Sequence, residues 1–271
     1  VGRHRWQTMK NELKRSIASP LFFLSMTVFF LCLQGFALPN YIHGCLTEPL
    51  EYRESALALT LGGIFFGGVL LLLPFCAPMT YATVQVDELR SSMMQWSVLR
   101  GGIFRYAINK ITVSFLASAV SIGVAFSIHA ALWHVLAVPY DPTVYPVHEI
   151  GFWDQSYFLE WSTIHHGLPI IINICLGLAF SAGVWSVVAL ATAVWIPDKL
   201  LVVTIPACIY KLWGSALSYY IFGVWLPSPD TLFNDAQTIS SVKGALIAYG
   251  VLLTISILCY YFGLRRRACH V

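Results

Sequence analysis

Charge is what this sequence has least of. Lysine, arginine, aspartate and glutamate together make up 11% of its 271 residues, against about 25% in an ordinary soluble domain. So low a share excludes a water-soluble cytosolic enzyme, a disordered tail and a nucleic-acid module, all of which need a solvated or basic surface. No G-x-x-x-x-G-K-[ST] run occurs, so the chain has no phosphate-cradling loop of that kind. The histidines lack metal-ligand spacing, because Glu160 and His165, like His129 and His134, are five residues apart and fall off a common helical face. Nor do the seven cysteines suggest a disulfide framework: Cys32, Cys76, Cys175, Cys208 and Cys259 lie in apolar runs, Cys269 in a basic tail, and Cys45 alone in an acidic loop.

What the chain does have is apolar length, with 58% hydrophobic residues and a mean hydropathy of +0.71. Six runs, near 20–39, 56–80, 111–136, 167–195, 199–226 and 244–264, are each long enough to cross about 30 Å of hydrocarbon. With their flanks they use nearly all of residues 1–271, which predicts one all-α integral membrane domain and leaves no room for a soluble catalytic domain. The first run, LFFLSMTVFFLCLQGFALP, is longer than the apolar core of a secretory signal and five more follow it, so it is expected to stay in the membrane.

Cationic segments resist translocation, so the placement of Lys and Arg sets the orientation. With the N-terminus inside, the inner flanks hold 13 of the 16 basic residues, from Arg3 and Arg5 through Arg90, Arg100, Arg105, Lys110 and Lys199 to Arg265, Arg266 and Arg267. The outer flanks hold Arg53 and Lys243, together with nine of the 13 acids. Both termini are therefore expected in the cytoplasm, which requires an even number of spans. The expected location is a bacterial-type cytoplasmic membrane, crossed several times.

The connecting segments are 40–55, 137–166 and 227–243 outside and 81–110 inside. Ahead of the first span, Trp6, Met9, Leu13 and Ile17 recur every three to four residues among basic side chains. That reads as an amphipathic helix on an anionic leaflet, stopped by Pro20, or as a plain positive anchor. On the inner segment, Val86, Leu89, Met93 and Trp96 can form one helical stripe before Gly101-Gly102 breaks the helix. The stripe fits a helix lying flat under the bundle, or a docking knob whose polar rim is Asp87, Glu88 and Arg90. The outer segment from Val138 to Gly167 has four acids, no Lys or Arg, and seven aromatic residues. Trp153, Tyr157, Trp161 and Ile164 share a helical face there, as an aromatic belt or, with Asp154 and Glu160, as a surface attracting a cationic amphipathic molecule.

A basic N-terminal helix ending in ELKRSIASP, six spans, an inner segment that runs from acidic to basic and closes on FRYAINK, and the basic tail LRRRACHV together resemble the type-2 ATP-binding-cassette permeases. The resemblance extends over the whole chain and lies in its organisation and these two loose motifs. It implies an exporter permease paired with a second permease, the same chain or a related one, above two nucleotide-binding ATPase subunits. It also implies a coupling helix on the inner segment, here Asp87, Glu88, Leu89, Arg90, Met93 and Trp96, and a short re-entrant helical pair between the fifth and sixth spans. Catalysis, with its ATP and Mg, would reside in the partner ATPase; this chain would hold no cofactor and no metal, and its other partner would be membrane lipid, not nucleic acid.

Within the spans, ionisable residues are costly and so point to function. Lys211 lies roughly twelve residues, or about 18 Å, from the inner end of its span, with no carboxylate in any span to pair with it. It either snorkels or faces a water-filled pathway, for which Asn173 and Gln34 are the other candidates. Small-residue steps at Gly63/Gly67, Ala119/Gly123 and Gly177/Ser181 predict close helix packing. The expected function is export of an amphipathic substrate such as an antimicrobial peptide; the rival is a polytopic membrane enzyme or sensory subunit needing no ATPase.

Overall fold

The computed structural model describes residues 2–47, 49, 53–65, 69–91, 93–141, 167–214, 229 and 239–269. These form ten helices: α1 Gly2–Ile17, α2 Pro20–Thr47, α3 Ala56–Phe65, α4 Val69–Met79, α5 Ala82–Arg90, α6 Met93–Gly101, α7 Ile103–Leu136, α8 Leu168–Trp195, α9 Lys199–Leu212 and α10 Ile239–Cys269. Among the described residues there is no strand, and the only bridge joins Ser55 to Val138.

Among the described residues, five stretches are long and apolar enough to cross a membrane: Pro20–Thr47, Val69–Arg90, Ile103–Leu136, Leu168–Trp195 and Lys243–Cys269. The chain is thus an all-helical protein of membrane type. Within the run expected as the second span, Ala56–Phe65 and Val69–Met79 are both helical, residues 66–68 lie outside the described residues, and Val69–Arg90 has the length and apolarity to cross. The run expected as the fifth span begins as the 14-residue α9; residues 215–226 lie outside the described residues.

Local chemistry explains where the helices start. Ser19 Oγ accepts from the Phe22 amide at 3.2 Å and Pro20 opens α2, where its missing N–H is not needed. Asp198 caps α9 by accepting from the Leu200 and Leu201 amides at 2.9 and 3.1 Å. Gly102, at φ +78°, takes the left-handed turn that separates α6 from α7, which a side chain would resist.

α7 and α8 form the central pair, with α2 against α7, α10 against α8, and α9 against α4 and α8. α8 is apolar on every side; its second half is buried among other helices, whereas Leu168, Ile172 and Leu176 in its first half face outward. The main core joins Phe29, Leu33, Leu73, Phe126, Ile174, Leu178, Trp185 and Tyr249. Small residues let the helices approach: a Cβ on Gly63 would lie 2.8 Å from the Leu33 carbonyl and 2.9 Å from His129 Nε2. By contrast, α2 and α10 turn apolar side chains outward, including Leu31, Ile42, Ile247 and Phe262.

The C-terminal end of α4 is buried, so its last carbonyls cannot turn to water. Hydroxyl groups from neighbouring helices take their place. Ser25 of α2 donates to the Cys76 carbonyl at 2.8 Å, Ser118 of α7 to that of Ala77 at 2.7 Å, and Ser16 of α1 to that of Thr80 at 3.2 Å. This serine set fixes the α4–α5 turn against three other helices.

Candidate functional site

A second core cluster closes one end of the bundle. Met9 and Leu13 of α1, Tyr81, Val86 and Leu89, Met94 of α6, Tyr106 of α7, Val194 of α8, and Tyr260 and Leu264 of α10 meet there. Lys110, Arg90, Lys199 and Arg266 all lie on the helices that converge here, so this is the basic end of the molecule. α1 therefore packs onto the bundle through Met9 and Leu13, two residues of the stripe expected to rest on lipid.

α5 carries consecutive charged residues, and the helical rotation of about 100° per residue sends them to different partners. Asp87 pairs with Lys199 at the start of α9, at 2.8 Å. Arg90 donates to the Pro197 carbonyl at 2.8 Å and lies 3.7 Å from Asp198, in the turn between α8 and α9. Glu88 turns inward to Lys110 of α7, at 2.7 Å.

Lys110 is the centre of the site. Its side chain is only 3% exposed, and its ammonium also reaches Glu12 of α1 at 3.2 Å and donates to the Tyr81 hydroxyl at 2.9 Å. Tyr81 in turn donates to Glu12 at 2.9 Å, Tyr106 to Glu88 at 3.1 Å, and Gln85 to Tyr106 at 2.9 Å. The rings of Tyr81 and Tyr106 lie 5.4 and 5.3 Å from the ammonium. A cation this deep is tolerable because two carboxylates and a hydroxyl replace its water. Together they tie α1, α5 and α7 into one unit.

The expected coupling residues divide between two helices. Asp87, Glu88, Leu89 and Arg90 lie on α5 and all engage the bundle. Ser91 then adopts an extended conformation, at φ −93° and ψ 159°, and α6 begins anew at Met93. The single stripe read from the sequence is thereby broken: Val86 is fully buried and Met94 nearly so, whereas Met93 is 58% and Trp96 62% exposed, with Leu99 at 79% beside them.

The pathway candidates lie elsewhere. Lys211 is on the exposed side of α9, and Asn173 is half-buried on α8. Gln34, on α2, has both amide atoms buried and unbonded, so no hydrogen bond links it to either of the others. The outer-loop candidates Trp153, Asp154, Tyr157, Glu160 and Trp161 lie outside the described residues. Among the described residues, no three His, Cys, Asp or Glu side chains converge as a metal site would require.

Lys110 and Glu12 were not singled out from the sequence, where Lys110 counts only as a flanking positive charge. A signal is nevertheless present. Tyr106, Lys110, Ser114, Ser118 and Ser121 recur every three to four residues along an otherwise apolar helix, and Glu12 is the one acid of α1.

No family model, curated protein or solved structure matches this chain. The fold and the site define a helical protein of membrane type, with a charged junction at one end.

Proposed function

We propose that the chain is the permease subunit of an ATP-binding-cassette exporter, with six spans, both termini in the cytoplasm, and a second permease of the same or a related sequence beside it. Two separate ATPase subunits bind ATP and Mg and dock beneath. The exported molecule is amphipathic, and the acidic, aromatic outer segment favours a cationic peptide of antimicrobial type.

The observation that carries this reading is α6, a short helix at the basic end that holds Met93, Trp96 and Leu99 outward. Met and Trp are adaptable anchors at protein interfaces. The adjoining α5 is bound to α7 through Glu88–Lys110 and to α9 through Asp87–Lys199. A push on α6 therefore passes through α5 to two helices of the bundle, as ATP-driven coupling needs.

The test is co-purification of the ATPase with a Met93→Ala/Trp96→Ala variant. Truncating interface anchors costs about 2–4 kcal/mol, or roughly 30- to 1,000-fold in affinity. Because both side chains point outward, insertion and folding are unaffected, while the ATPase is lost or its hydrolysis is uncoupled from transport. Full ATPase recovery with parental transport refutes the docking assignment.

A further inference from the structure

A groove of about 770 Å³ opens at the basic end between α6 and the C-terminal ends of α8 and α10. Its walls are apolar, with Met94, Val98 and Leu99 on one side and Val194 and Trp195 on the other. Arg266 and Arg267 line it, and among the described residues no acidic side chain does. We propose that this groove binds one anionic phospholipid, its phosphate on the two guanidinium groups and an acyl chain along the apolar wall.

Three observations lead there. The first is charge. Three cations of this junction have carboxylate partners: Lys110 with Glu12 and Glu88, Arg90 with Asp198, and Lys199 with Asp87. Among the described residues no carboxylate comes within ion-pair distance of Arg266 or Arg267.

The second is preorganisation. Arg267 Nε donates to the Val194 carbonyl at 2.6 Å, and the Arg266 guanidinium lies 5.7 Å from the Trp195 ring, whose Nε1 donates to the Cys259 carbonyl at 3.3 Å. Both cations are thus held at the groove and keep further N–H donors for phosphate oxygens.

The third is depth. Val194 and Trp195 end α8, and Gly263 to Ala268 end α10, two of the stretches with the length and apolarity to cross a membrane. The groove accordingly opens where hydrocarbon gives way to headgroups, the level at which basic pockets between spans hold acidic lipids. A water-soluble anion would have no use for the apolar wall.

Met93 and Trp96, the two anchors on which the ATPase reading is tested, do not line the groove; Leu99 alone is shared, standing at its lip and on the outward face of α6. The test is native mass spectrometry of the full chain released from vesicles of phosphatidylcholine and phosphatidylglycerol in equal parts. The parent should retain one phosphatidylglycerol in preference to phosphatidylcholine. Arg266→Gln/Arg267→Gln should weaken that adduct at least tenfold, and Arg265→Gln, a neighbouring cation outside the lining, by less than twofold. Leu99→Glu, which puts a carboxylate at the exposed lip without touching either arginine, should also weaken it tenfold, so the test survives if the arginine pair proves necessary for folding. Equal retention of the two lipids, an unchanged adduct in the Leu99→Glu variant, equal loss in the Arg265→Gln control, or displacement by millimolar inorganic phosphate would each overturn the proposal.

Discussion

Replacing Lys110 with methionine keeps most of the side-chain length and removes the charge. It leaves the Glu88 and Glu12 carboxylates facing one another and two tyrosines without their shared cation. Removing one partner of a buried ion pair typically costs about 3–5 kcal/mol, because the remaining charge is left without compensation. Glu88 keeps 16% of its side chain in solvent and Glu12 28%, so water relieves part of that penalty and the lower figure of about 3 kcal/mol applies here. At roughly 2–4 °C per kcal/mol for a chain of this size, the melting temperature of the detergent-solubilised protein should fall by roughly 6–12 °C. The assay is thermal unfolding followed by size-exclusion chromatography. A second arm isolates the pair: in a Glu88→Gln background, Lys110→Met should cost about 1–3 kcal/mol less than in the parent, since contacting residues are not additive. If Lys110→Met lowers the melting temperature equally in both backgrounds, the Lys110–Glu88 contact does not hold α5 to α7.

Two further outcomes test orientation and packing. In a background freed of native cysteines, a cysteine at Asp154 should react with an impermeant maleimide on intact cells and one at Ser91 should not; reaction at Ser91 from outside reverses the orientation drawn from the 13 inner basic residues. Gly63→Ala should destabilise the bundle by about 1–3 kcal/mol, because the added methyl meets the Leu33 carbonyl and His129 at once; a melting temperature unchanged from the parent shows that α2, α3 and α7 are not in close contact there.

How much the sequence discloses depends on the range of the interaction. An apolar run long enough to cross hydrocarbon is a local property, so the helical, membrane-type character of the chain and helices α2, α7, α8 and α10 are legible from composition alone. So are the breaks that backbone chemistry imposes, at Ser19-Pro20, at Gly102 and at the Asp198 cap. The broken stripe between Val86 and Trp96 is less so. Periodicity describes one uninterrupted helix, whereas the turn at Ser91 sends Val86 into the core and Met93 and Trp96 out of it.

The junction at the basic end belongs wholly to the tertiary structure. Glu12, Glu88 and Lys110 are far apart in the chain, and each read alone is an ordinary charge beside a span. Only the packing of α1 and α5 against α7 brings one ammonium between two carboxylates and withdraws it from solvent. The same is true of the groove, where Arg266 and Arg267 read as a retained basic tail until α10 lies beside α8. A charge's position along the sequence can indicate which side of a membrane it keeps to, because that preference acts on each residue singly. What it pairs with is set by which helices touch, and that is decided by the fit of many side chains at once.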